Sequence, residues 1–309
     1  IGIVSPSGGE IGPFLSIEQA ALSQLLADHR RTRIFGWYNL AGSFATAAGA
    51  LAGGWLAQLL QTLGWSGLDA YRHIMAGYAV CGLAMAVLFM FLNRDIEISG
   101  TIAPEEGRGK AFMGLHRSRK VVLKLSSLFT LDAFAGGFVI QSMIAWWLHV
   151  RFGADEGMLG SLFFGANLLA GVSALLATRL AERIGLVRTM VYTHIPSNIL
   201  LCMVPLMPHL WLAVAILLLR ASISQMDVPA RQSYTMAVVA PDERSAASGI
   251  TTVARSVGAA ASPLLAGLFM ASPQLFAAPC FIAGGLKILY DLLLYKAFGE
   301  HREIPSRNG

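Results

Sequence analysis

Apolar residues along the chain gather into nine runs, at 2–26, 34–63, 74–92, 121–150, 158–181, 187–207, 210–239, 246–271 and 275–298. Each is close to the ~20 residues that a helix needs to cross a ~30 Å hydrocarbon layer. The pattern therefore predicts an all-α membrane protein with nine transmembrane helices. The first run is the least apolar, with Glu10, Glu18, Gln19 and Gln24 set among Gly8, Gly9, Gly12 and Pro13. The connector 28–33 reads as a polar loop, and only the stretch 93–120 is long and polar throughout, with Pro104 to Gly109 at its centre and a basic end from His116 to Lys120. It divides the chain into a three-span unit (1–92), a linker (93–120), a six-span unit (121–298) and a tail (299–309).

Composition agrees with this division: 55% of residues are hydrophobic, 13% are charged and mean hydropathy is +0.59, against about a quarter charged in soluble domains. Sixteen of the 23 Lys and Arg fall in alternate connections, whereas the opposite connections hold only Arg72 and Arg151. By the positive-inside rule the basic side, with the linker and the C-terminus, is cytoplasmic. Trp65, Trp146, Trp147 and Trp211 fall at the other face. The net charge of +5 thus needs no nucleic-acid partner; the partner it implies is the lipid bilayer, as a multi-pass protein of the plasma (inner) membrane. Cys81, Cys202 and Cys280 lie far apart in apolar runs, which predicts buried thiols rather than disulfides or metal ligands. No HExxH, GxSxG or phosphate-cradling GxxxxGK[ST] pattern occurs, so neither enzyme chemistry nor a cofactor is expected.

The informative residues are the ionisable ones inside the apolar runs. Asp132, Arg220, Asp227, Arg231 and Arg255 stand far from any run's ends. A charge at the bilayer centre costs ~2.5–3.5 kcal/mol on insertion scales, so these side chains should face protein or a water-filled path. Asp132 is 12 residues from Lys120, or ~18 Å at helical rise; a lone carboxylate there suits proton uptake and release, the alternative being a structural salt bridge to an arginine such as Arg255. Asp227 and Arg231 are four apart on one helix face, with Arg220 seven residues earlier, so the three form a candidate site for an ionic substrate or coupling ion. Lys287 and Asp291 are also four apart, near the inner end of the last run, where snorkelling and a structural pair are expected. Pro229 predicts a kink in the helix it interrupts. Its surroundings repeat earlier: Glu10 to Pro13 parallels Asp227 to Pro229, and Arg31, Gly36, Ser43, Leu51 and Gly54 match Arg244, Gly249, Ser256, Leu264 and Gly267 at a constant offset of 213. An internal repeat follows, with Glu10 the paired acid of the first unit and Glu18 a further titratable group.

Three features resemble the major facilitator superfamily of secondary transporters. Residues Gly36, Ala45, Gly49-Ala50 and Gly53-Gly54 follow the spacing of the family's fifth-helix antiporter motif, with alanines in place of one glycine and of the proline. The eleventh-helix counterpart reads Gly249, Gly258, Ser262-Pro263 and Ala266-Gly267. Leu180 to Gly185, with Glu182, Arg183 and Arg188, is similar to the family's conserved cytoplasmic loop, whose charges hold the inside closed. For both glycine series, and Gly49 with Gly53 in particular, the alternative is a small-residue face for close helix packing. The resemblance implies two six-helix halves joined by a long cytoplasmic loop, so the chain reads as the last nine helices of that fold. It further implies secondary active transport of a small organic solute by alternating access, proton-coupled, with efflux antiport as one form. The alternative from another class is a non-transporting membrane sensor or scaffold on the same fold.

Overall fold

The computed structural model describes residues 28–90, 114–270, 272 and 275–299. Within them the chain is helical, without strands: α1 Asp28–Thr62, α2 Gly67–Met90, α3 Arg119–Gly137, α4 Gln141–Phe152, α5 Glu156–Ile184, α6 Leu186–Met203, α7 Leu210–Ser224, α8 Asp227–Ala237, α9 Arg244–Met270 and α10 Ala278–Phe298. Taken across their breaks they make eight spans long and apolar enough to cross a membrane. Eight of the nine expected spans are therefore present among the described residues; the first, 2–26, lies outside them with Glu10 and Glu18, as do 91–113 of the linker and 300–309 of the tail. The connector at 28–33 is the first turns of α1 rather than a loop.

Two expected single helices are broken. The run 121–150 divides at Phe138, where the amides of Phe138 and Val139 reach back only three residues, to the carbonyls of Ala135 and Gly136. Gly136 and Gly137 are weak helix formers, and Gly137 leaves no alternative: a Cβ there would lie 2.9 Å from the Ala259 carbonyl oxygen of α9. The run 210–239 divides at Gln225-Met226 rather than kinking at Pro229. A helix continuing from α7 would need an N–H on Pro229 for the Gln225 carbonyl; the ring has none and would clash with that oxygen. Gln225 O instead accepts from Val228 N at 3.3 Å, and Pro229 occupies the first turn of α8, where a missing N–H costs little.

Glycines set the close helix contacts, although not those the spacing singled out. Antiparallel α1 and α5 meet where a Cβ on Gly54 would lie 2.7 Å from Glu156 O and 2.8 Å from Gly160 Cα, and one on Gly36 would lie 2.7 Å from Thr178 Cγ2. Gly49 and Gly53 face open space, so that pair makes no close approach. Parallel α3 and α9 meet at Gly258, whose Cβ would lie 2.5 Å from Thr130 O. Gly249 and Gly267 meet nothing within 4 Å, unlike Gly36 and Gly54, their counterparts in the repeat. Pro263 sits inside α9, and Gly185, at φ +90°, makes the corner between α5 and α6.

At one end, Glu243 is fully buried and accepts from the amides of His116, Arg117 (2.8 Å) and Ser118 (2.9 Å), while Ala240 N donates to Ser118 Oγ at 3.1 Å. These amides lie in the segment that leads into α3, ending at its N-cap Ser118, so Glu243 ties the end of the linker to the α8–α9 corner. At the other end, Asp155 caps α5 by accepting from Met158 N at 2.7 Å, and Tyr71 donates to Glu156 at 2.9 Å. The end of the linker thus lies beside the α8–α9 connection, and the start of α2 beside the start of α5.

Replacing Gly54 with Leu should destabilise the protein by about 1–3 kcal/mol, the usual cost of overpacking, whereas Gly53→Leu should be nearly neutral. Thermal unfolding in detergent checks the pair; equal effects would mean that α1 does not pack on α5 as described.

Candidate functional site

The core is layered. One apolar cluster joins Leu125 and Phe129 of α3 to Met190 and Val191 of α6, Ala230 of α8, and Tyr290, Leu294 and Phe298 of α10. A second joins Ile144, Trp147 and Leu148 of α4 to Leu162 of α5 and Ala213 and Leu217 of α7, with Cys280 of α10. Between them lies a layer of charge.

Asp132, 3% exposed, is its hub. Its Oδ1 accepts from Lys287 Nζ at 2.6 Å, and its Oδ2 accepts from Arg231 Nη1 at 3.1 Å and Arg255 Nη1 at 3.2 Å. Arg231 also pairs with Asp227 at 3.2 Å, one helical turn before it, and its guanidinium stands 5.7 Å from the centre of the Phe129 ring. His194 Nε2 is 4.0 Å from Asp132 Oδ1, and its Nδ1 is 2.8 Å from Asp291 Oδ1, whose other oxygen accepts from Asn198 at 3.2 Å. Six helix segments thus contribute to one network: α3, α6, α8, α9 and α10 directly, with α1 joined to α8 by the 3.0 Å bond from Asn39 to Gln232.

The network forms part of the wall of a cavity of about 750 Å³, within the range of small-molecule sites; α1, α4, α5 and α7 complete the wall with Asn39, Gln141, Asn167 and Arg220. Asp132, Asp227, Arg231 and Arg255 are therefore brought together, as their presence in apolar runs predicted, but Asp132 is not a lone carboxylate. Arg220 joins neither acid: it precedes the break at Gln225-Met226 and reaches the same cavity without an ion pair among the described residues. Lys287 and Asp291 neither snorkel nor pair with each other. Lys287 lies 11 residues from the end of α10, close to midplane, and each pairs across to another helix. His194 gave no sequence signal, being a lone histidine in an apolar run. Glu182 and Arg183 end α5 exposed, with no ion pair among the described residues, before the Gly185 corner. The cysteines are unbridged, Cys280 buried and Cys81 exposed.

Comparison with known proteins bears on this arrangement. The sequence model of the Major Facilitator Superfamily matches residues 7–263 and 127–308, which together take in nearly the whole chain. The chain belongs to the Major Facilitator Superfamily. The two matches overlap, which suits a fold whose halves repeat each other. An uncharacterized membrane protein of Saccharomyces cerevisiae is 26% identical over 321 residues, covering 95% of this chain and 71% of that one. Among solved structures, a bacterial homologue of the iron transporter ferroportin in its outward-facing state superposes with a TM-score of 0.52 over 94% of this chain and 67% of that one, at 14% identity. That likeness concerns the fold. Membership makes this major facilitator chain a multi-pass membrane transport protein and not an enzyme.

Removing the hub leaves three cations facing one another in a buried site. Asp132→Asn should therefore destabilise the protein by about 3–5 kcal/mol, the usual cost of breaking a buried pair. Adding Lys287→Met to that variant should recover part of the loss, and a double-mutant cycle by thermal unfolding reads the coupling.

Proposed function

We propose that the protein is a secondary active transporter of a small organic solute, coupled to protons and working by alternating access, in which the Asp132 network is the coupling centre. The observation that carries this reading is the placement of a layer of ion pairs centred on Asp132 in the wall of a midplane cavity, between two apolar clusters. Such charges are costly to bury, and within membranes they mark ion and substrate paths. A proton arriving at Asp132 competes with Lys287, Arg231 and Arg255 for the same two oxygens. Its binding weakens ties that join α3 to α8, α9 and α10, so protonation and helix rearrangement bias each other. His194, bonded to Asp291 and 4.0 Å from Asp132, offers a route for that proton, since one imidazole nitrogen can accept a proton while the other donates.

The same reading places Gly36, Gly49, Gly53, Gly54, Gly249, Gly258, Pro263 and Gly267 on the faces that shift between states. Glu182, Arg183 and Gly185 become the inner gate, and Glu10 and Glu18 further titrating groups of the first unit. The linker and C-terminus face the cytoplasm across the plasma membrane, and efflux antiport is one form the cycle can take. Cysteines introduced at 108 and 155 test the sidedness: a membrane-impermeant reagent added outside should label 155 and not 108.

Proteoliposomes with an imposed pH gradient test the coupling against a panel of carboxylates, phosphate esters, amines and sugars. Accumulation of one class is expected in the parent protein. Asp132→Asn should abolish uphill accumulation while leaving downhill exchange measurable. Undiminished accumulation in that variant would remove Asp132 from the coupling, and uptake driven by sodium but indifferent to pH would replace the proton.

A further inference from the structure

Among the described residues, the cations around the cavity outnumber the anions, and one of them has no partner. Asp132, Asp227 and Asp291 supply three negative charges; Arg220, Arg231, Arg255 and Lys287 supply four positive ones. The formal balance of these described groups is +1. Arg231, Arg255 and Lys287 are held by carboxylates at 3.2 Å or less. Arg220 makes no ion pair or hydrogen bond among the described residues, and its Nε is buried without an acceptor. Arg220 is partly exposed, with its Nε buried; a guanidinium always carries its charge, and one without a counter-charge in such a site is disfavoured. Polar groups nevertheless surround its cavity: Gln141 from α4, Asn167 from α5, and Ser224 and Gln225 at the break between α7 and α8.

We infer that Arg220 is the anchor for an oxyanion, a carboxylate or phosphate borne by the transported solute, which supplies the missing negative charge when the cavity is filled. The inference rests on the transport reading and narrows it to an anionic substrate class. Arg220 suits this role by chemistry: its planar fork of N–H donors matches the two oxygens of a carboxylate or phosphate. Its position suits it too. It lies one turn before the helix break, on the wall shared with Asp132 but outside the pairs that Asp132 makes, so solute and proton occupy neighbouring and not identical sites. A cationic cargo would meet a wall that is already positive. The cavity's 750 Å³ suits a small soluble anion better than a diacyl lipid.

The test measures thermal stability of the purified protein in detergent with succinate, glycerol 3-phosphate or inorganic phosphate, each against chloride at matched ionic strength, with anionic phosphatidylglycerol micelles as a separate arm. The expected result is a rise in Tm of several degrees with one of the soluble oxyanions, lost in Arg220→Gln and kept in weakened form in Arg220→Lys. Without added anion, Arg220→Gln should match or exceed the parent in Tm, because it removes an uncompensated charge; a lower Tm there would assign Arg220 a structural role and overturn the inference. Stabilisation by none of the soluble oxyanions, or by the lipid alone, or equally in Arg220→Gln, would also overturn it. Counterflow in proteoliposomes separates this from the transport reading. Counterflow of an amine or sugar unchanged in Arg220→Gln would leave transport standing and refute the oxyanion. Oxyanion binding that depends on Arg220, with no counterflow of any solute, would leave the site standing and refute transport.

Discussion

One buried carboxylate in contact with three cations governs most of this structure. Asp132 is reached by Arg231, Arg255 and Lys287 from three other helices, and each of those charges would be costly in lipid by itself. The network therefore fixes which faces of α3, α8, α9 and α10 look inward, more tightly than apolar packing can, because lipid tails compete with any apolar contact but not with an ion pair. The apolar clusters on either side keep the layer in a low-dielectric setting, where its pairings are strong. The helix breaks at Phe138 and at Gln225-Met226 lie close by in sequence, so the segments bearing Asp132, Asp227 and Arg231 are shorter than the spans that contain them.

Strong pairing also makes the layer suitable as a switch. In the proposed cycle, the network holds one arrangement until an added proton or a bound anion favours another. Close glycine contacts between α1 and α5 and between α3 and α9 allow neighbouring helices to slide with little side-chain interdigitation, since Gly54 meets Gly160 backbone to backbone. The tie from Glu243 to the start of α3 lies at the end where the linker enters the second unit, and it couples the ends of α3 and α9 to each other.

Much of this was legible from residue types. Asp132, Asp227, Arg231 and Arg255 announced themselves because an ionisable side chain in an apolar run must have a partner, and the structure supplies one for each. Lys287 was misplaced because a long lysine stem suggests snorkelling, although it stands 11 residues from the end of α10, and nothing in its spacing reveals an acid on a distant helix. His194 was invisible for a related reason: a lone imidazole in an apolar run is compatible with any environment. Pro229 correctly marked a discontinuity, yet the break falls four positions earlier, at the residue whose carbonyl the proline has no N–H to serve. The glycine series showed that close approach occurs but not at which positions. Gly49 and Gly53 share the right spacing, and only the rotation of α1 about its own axis decides that Gly36 and Gly54 are the ones that touch α5.

The central claim is that protonation of the Asp132 network changes the side from which the cavity is open. It is tested most directly by the accessibility of a single cysteine at Ser224, on the cavity wall, in a background with Cys81, Cys202 and Cys280 replaced. Labelling with a membrane-impermeant thiol reagent, applied from each side in turn at acidic and at neutral pH, reports which side is open. The account predicts that the faster-labelled side changes with pH in the parent background and ceases to change in Asp132→Asn. Labelling from one side alone, at every pH and in both backgrounds, would contradict it.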